Sequence, residues 1–243
     1  MDVDQIWPAV WERTRPTDTP EVGTWALVAL GAALAVVLVP VLWRLVRPAV
    51  TIAHELGHAG VGILVGRRFT GFVVSSDMSG HAVTVGPRRG FGRVATTWAG
   101  YPAPALLGAA LVNVGLRGWA GIALLAALLV LLVSLAFSRS LHTVAAVLGA
   151  AAVVGGVWWF GGPDGAAILT LAAGVFLLLG AWRHIAVVAT TGRRGDDPAQ
   201  LADLTRVPSW LWTGTFVLVA ALCTWWAWTA LSPVLPADLL SSF

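Results

Sequence analysis

The chain has 243 residues, of which 58% are hydrophobic and only 11% are charged. This composition excludes an ordinary soluble domain and is typical of a polytopic membrane protein, because a run of about 20 apolar residues can cross a bilayer. The net charge of +3 comes from arginines between the apolar runs, since the chain has no lysine, so no nucleic-acid-binding surface is indicated.

Residues 1–22 are polar and contain three prolines, and they are predicted to form an N-terminal juxtamembrane tail. Residues 23–243 are predicted to form a single transmembrane domain. The N-terminus has Asp2 and Asp4 and no basic region, so a cleaved signal peptide is not expected. The single cysteine, Cys223, excludes an intrachain disulfide.

Seven apolar runs predict about seven transmembrane helices. Pro48 is predicted to end the first helix, and Pro102 and Pro104 are expected to bend the third. The polar segment at residues 191–208 is predicted to be a loop before the last helix. The runs cover about residues 25–43, 49–66, 94–114, 119–137, 141–159, 166–188 and 210–231.

Residues 69–74 and 81–85, between the second and third runs, have the composition of β-strands, and the residues between them resemble a turn. The predicted fold is therefore an all-α polytopic membrane protein with a small β-hairpin after the second helix. Because a hairpin has unpaired edges, it should lie at the interface or pack against protein. Asp77 in the turn and His81 at the start of the second strand are conceivable metal ligands, although turn chemistry and a solvated strand end explain them more simply.

The second run contains His54, Glu55 and His58 in the pattern His-Glu-x-x-His. Residues four apart share one face of a helix, so the two imidazoles can bind one metal ion. Glu55 projects about 100° away, where it can deprotonate a water molecule without being a ligand. Zn²⁺ is the expected metal, because imidazole suits it and catalytic zinc keeps one position open. The alternatives are a hydrogen-bonded cluster without metal and a metal that is bound but not catalytic.

The arginines between the runs predict the orientation in the membrane. If the hairpin is cytoplasmic, twelve arginines lie on that side and three, Arg44, Arg47 and Arg117, lie on the other. Because positive residues are retained inside, this count predicts which end of the chain faces the cytoplasm; the expected location is a bacterial-type inner (plasma) membrane, with multiple spans. The N-terminus would be cytoplasmic and the C-terminus outside.

Four segments together resemble the site-2 protease family of intramembrane zinc metallopeptidases. They are His54-Glu55-Leu56-Gly57-His58, Gly66-Arg67-Arg68, the hairpin and Ala99-Gly100-Tyr101-Pro102. The closer resemblance is to the small bacterial and plant peptidase-like branch, which has a similar hairpin, a similar Ala-Gly-Tyr-Pro helix and a late loop of Ser-Asp-Ala type. That loop corresponds to residues 196–205, and the resemblance covers about residues 50–230.

The resemblance implies that His54 and His58 are zinc ligands and that Glu55 is the general base. It also implies that the partners are the lipid bilayer and a membrane-protein substrate, which is cleaved near the cytosolic side. The alternative function is a non-catalytic metal-binding membrane scaffold. A proton-coupled transporter is a weaker alternative, because no inverted repeat is present.

Two features depart from the family pattern. The usual third ligand is an aspartate in a Leu-Asp-Gly type motif, but the corresponding segment, residues 138–142, contains no carboxylate. The asparagine usual after the Ala-Gly-Pro motif is also missing. Three candidates remain for the third ligand: Asp197 in the late loop, which is preferred, His142 in the corresponding segment, and Asp164 in a Pro-Asp-Gly sequence on the opposite side. A site without a third protein ligand is the remaining alternative.

Overall fold

The computed structural model describes residues 3–17, 24–75, 80–192 and 195–235. Within these ranges the chain is mostly helical and has one two-stranded antiparallel sheet, in agreement with the predicted fold class. A short 3-10 helix, Ser232–Val234, follows the last α-helix. The α-helices are α1 (Val3–Thr14), α2 (Thr24–Leu38), α3 (Pro40–Leu64), α4 (Phe91–Trp98), α5 (Pro102–Leu116), α6 (Ala120–Leu135), α7 (Leu141–Phe160), α8 (Gly162–Thr191), α9 (Asp197–Thr205) and α10 (Ser209–Leu231), and the strands are β1 (Arg68–Val74) and β2 (Gly80–Val85).

The structure has fewer candidate membrane spans than the seven predicted. α7, α8 and the helical segment Ser209–Val234 are each long and apolar enough to cross a bilayer. Two more spans result if each bent pair, α2 with α3 and α4 with α5, is counted as one. α6 is apolar but has only 16 residues. The described part of the chain is therefore that of a membrane protein with three to five candidate spans.

The prediction that Pro48 ends the first helix is wrong. α2 ends earlier, at Leu38, and α3 begins at Pro40, where a missing amide hydrogen costs little. α3 then continues through the buried Pro48 to Leu64, because packing partners allow a membrane helix to keep an interior proline. The axis turns by 101° between α2 and α3, so the His-Glu segment lies on a helix nearly perpendicular to α2.

The β-hairpin packs against protein, as its unpaired edges require. Phe72 and Val74 of β1 are completely buried in a cluster with residues of α3 and α7. On the outer edge of β1, the Phe72 N–H donates to Phe137 O at 2.9 Å and the Val74 N–H donates to Thr143 Oγ1 at 2.8 Å. This edge is therefore paired rather than open. The turn residues 76–79 lie outside the described residues.

α5 and α8 approach each other backbone to backbone. A Cβ added to Gly108 would lie 2.6 Å from Gly174 O, and one added to Gly174 would lie 2.8 Å from Gly108 O. Such contacts between small residues commonly join membrane helices. Phe216 of α10 and Leu201 of α9 are completely buried in the same core. Residues 191–208 were predicted as a loop, but they contain the anchored helix α9.

α1 lies at the end of the molecule opposite to the hairpin. The Thr17 N–H donates to Gly118 O at 3.0 Å, and Arg13 Nε donates to Trp159 O at 3.1 Å. These contacts place α1 beside the start of α6 and the end of α7. The hairpin meets the other end of α6, where β1 pairs with Ser138. α1 and the hairpin therefore lie at opposite ends of α6, and the predicted cytoplasmic location of the N-terminus stays a prediction.

Candidate metal centre

His54 and His58 lie one turn apart on α3, and their side chains meet. Their Nε2 atoms are 3.1 Å apart, and the two rings are in edge-to-face contact. Nδ1 of His58 lies 2.7 Å from the Thr96 carbonyl oxygen. Because a carbonyl only accepts, His58 Nδ1 carries the hydrogen and donates it, which leaves the Nε2 lone pair directed at the shared point.

Asp197 brings a carboxylate from the first turn of α9 to the same point. Its Oδ2 atom lies 3.3 Å from His54 Nε2 and 3.2 Å from His58 Nε2. Oδ2 is buried and has no hydrogen bond of acceptable geometry within the described residues. Burial raises the pKa of Asp197, but the neighbouring His58 and His54 outweigh it and hold the pKa below its usual value. The ionised carboxylate is the form that binds a metal.

Gln200 fixes the start of α9 beside α4. Its Nε2 donates to Gly195 O at 2.8 Å, and its Oε1 accepts from Arg93 Nη2 at 3.0 Å. Leu201, the next residue, is completely buried. The position of Asp197 is therefore set by a packed helix rather than by an unrestrained loop.

The three ligand atoms form a nearly equilateral triangle with sides of 3.1, 3.2 and 3.3 Å. In a tetrahedral zinc site with bonds of about 2.0–2.1 Å, neighbouring ligand atoms lie about 3.3–3.4 Å apart. Two imidazoles and one carboxylate are also a ligand set of catalytic zinc sites. Among the described residues, this is the one such cluster of three. The residues therefore fit zinc, with a fourth position left for water or substrate.

Glu55 lies next to the cluster in a tightly closed environment. Its side chain is 1% exposed, and Oε2 has no hydrogen-bond partner in the described ranges. Gly80, the first residue of β2, packs on it so closely that an added Cβ would lie 3.0 Å from Glu55 Cδ and 2.7 Å from Thr51 Cγ2. A buried carboxylate oxygen without a partner is costly and calls for an explanation. The hairpin therefore forms one wall of the site.

The turn between α4 and α5 forms another wall. A Cβ on Gly100 would lie 2.6 Å from His54 Nε2 and closer still to His58 Nε2, so this position has room for glycine alone. The Tyr101 ring packs edge-on against His54, with centroids 4.8 Å apart, and stacks on Phe216 at 4.9 Å. The Ala-Gly-Tyr-Pro segment is therefore in direct contact with the metal centre. The helix axis bends by 58° at this turn, between α4 and α5.

The other candidate ligands lie away from the cluster. His142 is exposed near the start of α7. Asp164 is in the first turn of α8, about 30 Å along the helix from His184, which lines the same cavity as the cluster. His81 lines the cavity but is not part of the triangle, and Asp77 lies outside the described residues. Of the three candidates for the third ligand, Asp197 is the one that meets both histidines.

The cluster faces a cavity of about 570 Å³ between α3, β2, α8 and the start of α9. Its lining also includes Trp43, Arg183 and His184. These residues and Thr96 belong to no sequence motif and were not predicted to be part of the site. Thr96 acts through its backbone carbonyl, which no sequence pattern reveals, whereas ionisable residues within an apolar helix are a general indication of function.

The family model described as Peptidase M50B-like matches residues 27–227 of the chain. The matched region contains the three clustered residues, Glu55, the hairpin and most of α10. Comparisons with curated proteins and with solved structures find no match.

Proposed function

Because the chain belongs to the Peptidase M50B-like family, which corresponds to the site-2 proteases, we propose that it is an intramembrane zinc metallopeptidase. The proposed reaction is hydrolysis of a peptide bond in a membrane-anchored substrate, and the proposed partners are that substrate and the lipid bilayer. The observation that carries the proposal is the triangle of His54, His58 and Asp197 beside the buried Glu55.

His54, His58 and Asp197 would hold the zinc ion, each through one ligand atom. When bound, zinc supplies a Lewis acid that acidifies water and polarises a peptide carbonyl. Glu55 accepts a proton from the attacking water and donates it to the leaving amide nitrogen. Its Oε2 atom can take this role because it has no competing hydrogen bond within the described residues.

The neighbouring segments keep these groups in place. The Thr96 carbonyl holds His58 in the tautomer that binds metal through Nε2. Gly80 and Gly100 let the hairpin and the α4–α5 turn approach Glu55 and the imidazoles. Residues so confined lose little freedom on binding substrate, and this preorganisation favours catalysis.

The proposed orientation places the metal centre near the cytoplasmic side. At the end of the molecule opposite to the hairpin lie Arg13, Arg15 and Arg117, and Asn113 Nδ2 there contacts Trp226 O of α10 at 3.5 Å. Positive residues are retained inside, so the arginine-rich hairpin end would be cytoplasmic and both α1 and the end of α10 would be outside. Of the other described arginines, Arg139 contacts β1, Arg67 contacts β2, and Arg47, Arg93 and Arg183 line the cavity that β2 borders.

Zinc content and proteolysis together test the proposal. Purified protein should contain about one zinc per chain. Asp197→Ala should lower zinc affinity and stop cleavage of single-span membrane proteins produced in the same cells. Asp203→Ala, at an exposed position on the same helix, should do neither. Glu55→Gln should keep the zinc and lose cleavage.

Each outcome that contradicts the proposal has a distinct meaning. Full zinc content and cleavage in Asp197→Ala would remove Asp197 from the ligand set. Loss of zinc in Glu55→Gln would overturn the assignment of Glu55 as a base that is not a ligand. Stoichiometric zinc without cleavage by the native chain would instead favour the non-catalytic metal-binding scaffold.

A further inference from the structure

We propose that Arg183, together with His184, forms a subsite that binds an acidic side chain of the peptide substrate. The inference rests on the proposed peptidase function and extends it, because it names the class of peptide that the cavity accepts. Both residues lie on α8 and line the cavity that contains the metal cluster.

Arg183 is held in a defined position on an aromatic platform. Its guanidinium carbon lies 4.4 Å from the centre of the Trp43 ring, and Nη1 donates to Val37 O at 2.8 Å. Val37 lies in the last turn of α2, where carbonyl groups lack partners within the helix. Within the described residues this is the one hydrogen bond of Arg183, so further N–H groups of its planar fork are available to a ligand.

His184 lies beside Arg183 on the same platform. Its ring meets the Trp43 ring edge-to-face, with centroids 6.2 Å apart, and Trp43 itself is only 5% exposed. His184, Arg183 and His54 all line the same cavity. The platform therefore adjoins the metal cluster rather than a separate surface of the protein.

The charge of the cavity favours an anion on this platform. Glu55 and Asp197 belong to the proposed metal centre. The remaining acidic and basic residues of the lining, histidines apart, are Asp196, Arg47, Arg93 and Arg183. Together with a bound Zn²⁺, these three arginines and the three carboxylates of the lining, Asp196, Glu55 and Asp197, would give the cavity a net positive charge that attracts negative groups. Arginine is well suited to them, because its fork can bind both oxygens of a carboxylate.

A carboxylate on the substrate fits this site better than a lipid phosphate. An arginine that served the membrane surface would extend its guanidinium away from the protein, as long cationic side chains near an interface do. Arg183 instead packs on Trp43, and its neighbour His184 lines the same cavity as His54. A peptide bound at the metal would therefore place nearby side chains next to this platform.

Two peptide hydroxamates that differ in a single glutamate or glutamine residue beside the hydroxamate test the inference. Either compound reports on the proposed function, because a hydroxamate binds the open position of zinc, and the ratio of their affinities reports on the subsite. Calorimetry on the full zinc-loaded chain in a neutral detergent should show about tenfold tighter binding of the glutamate compound. Arg183→Gln should reduce this ratio to about one and leave the affinity for the glutamine compound unchanged.

Arg44→Gln is the matched control. Arg44 is exposed, follows Trp43 of the platform on α3, also donates to a backbone carbonyl, and is not in the cavity lining. This variant should keep the wild-type ratio. Arg183→Lys keeps the positive charge but not the planar guanidinium, so it should keep part of the preference for the glutamate compound. Zinc content equal to that of the wild type will show that each variant is folded at the metal centre.

Equal affinity of the wild type for both compounds, or an unchanged ratio in Arg183→Gln, would overturn the subsite and leave the peptidase proposal intact. If phosphatidylglycerol added to the detergent also bound in an Arg183-dependent manner while the ratio was one, Arg183 would belong to a lipid site instead. Failure of both compounds to bind the zinc-loaded chain would overturn the peptidase proposal, and the subsite with it.

Discussion

At the scale of single residues, the metal centre depends as much on missing side chains as on present ones. Gly100 borders both imidazoles, and Gly80 borders Glu55, at distances that no Cβ could occupy. Gly60, which is also near the histidines in sequence, has no heavy atom within 4 Å of an added Cβ. Substitution of Gly100 or Gly80 should therefore disturb the metal centre, whereas substitution of Gly60 should not.

Gly100→Ala is expected to lower zinc affinity strongly. Its Cβ would come within 2.6 Å of His54 Nε2, so the imidazoles must move apart from their present separation. Zinc titration of the purified protein against a competing chelator measures the effect. Gly60→Ala is the control and should retain zinc, with a gain in stability of up to about 1 kcal/mol because alanine favours the helix. Unchanged zinc affinity in Gly100→Ala would show that the triangle does not bind the metal.

The residues of the site differ in how far the sequence could predict them. His54, Glu55 and His58 follow from local spacing, because one helical turn alone brings the histidines together. Asp197 follows only from the family resemblance, since its contact with His54 joins residues far apart in the chain and depends on how α9 packs. The roles of all four as ligands or base stay predictions until metal and activity are measured.

At the scale of elements, Arg67 holds the base of the hairpin. The residue is 6% exposed, and all three nitrogen atoms of its guanidinium donate hydrogen bonds to β2 or to the segment that follows it. Nε donates to Thr84 Oγ1 at 3.2 Å, Nη2 donates to Thr84 O at 3.4 Å, and Nη1 donates to Pro87 O at 2.7 Å. The hairpin that covers Glu55 is thus joined to the end of α3 by a buried guanidinium.

Arg67→Gln is expected to loosen the hairpin. A side chain too short to reach these acceptors leaves them unpaired, at a cost of about 1–3 kcal/mol each where they are buried. Hydrogen exchange of the β1 and β2 amides should become faster, and peptidase activity should fall more than zinc content, because Gly80 would no longer cover Glu55. Arg68→Gln, at the exposed next position, should leave exchange unchanged. Equal protection of the hairpin in both variants would refute this role for Arg67.

The elements that the sequence predicted well are those set by local patterns. The strands were placed within one residue of their observed ends, because composition and turn residues define a hairpin locally. The end of the first helix was misplaced, since Pro48 is accommodated by packing that no local pattern shows. The segment predicted as a loop before α10 contains the helix α9. Local patterns do not reveal this helix, because the buried Leu201, rather than helix propensity, anchors it.

At the scale of the whole molecule, the main difference between the prediction and the structure concerns its ends. The sequence predicted the N-terminal tail on the side of the hairpin, because α2 and α3 were counted as two crossings. The axis instead turns by 101° at Pro40, so α2 and α3 together count as at most one candidate span. α1 therefore lies beside Gly118 and Trp159, far from the hairpin.

Cysteine labelling in intact cells tests this arrangement in a Cys223→Ser background. A cysteine at Gln5, exposed on α1, is expected to react with an impermeant thiol reagent added outside, whereas one at Arg89, exposed beside the hairpin, should react only after permeabilisation. The reason is that the arginine-rich hairpin end should be retained inside. Protection of both positions would place α1 and the hairpin on one side, and the reverse pattern would invert the proposed orientation.

Zinc X-ray absorption spectroscopy of the purified chain is the decisive test of the proposed zinc site, because it identifies the ligands themselves. A site made of His54, His58 and Asp197 predicts four nitrogen or oxygen ligands at about 2.0–2.1 Å, two of them imidazoles, with no sulfur. Glu55→Gln should give the same spectrum. A sulfur ligand at about 2.3 Å, or fewer than two imidazoles, would contradict the account.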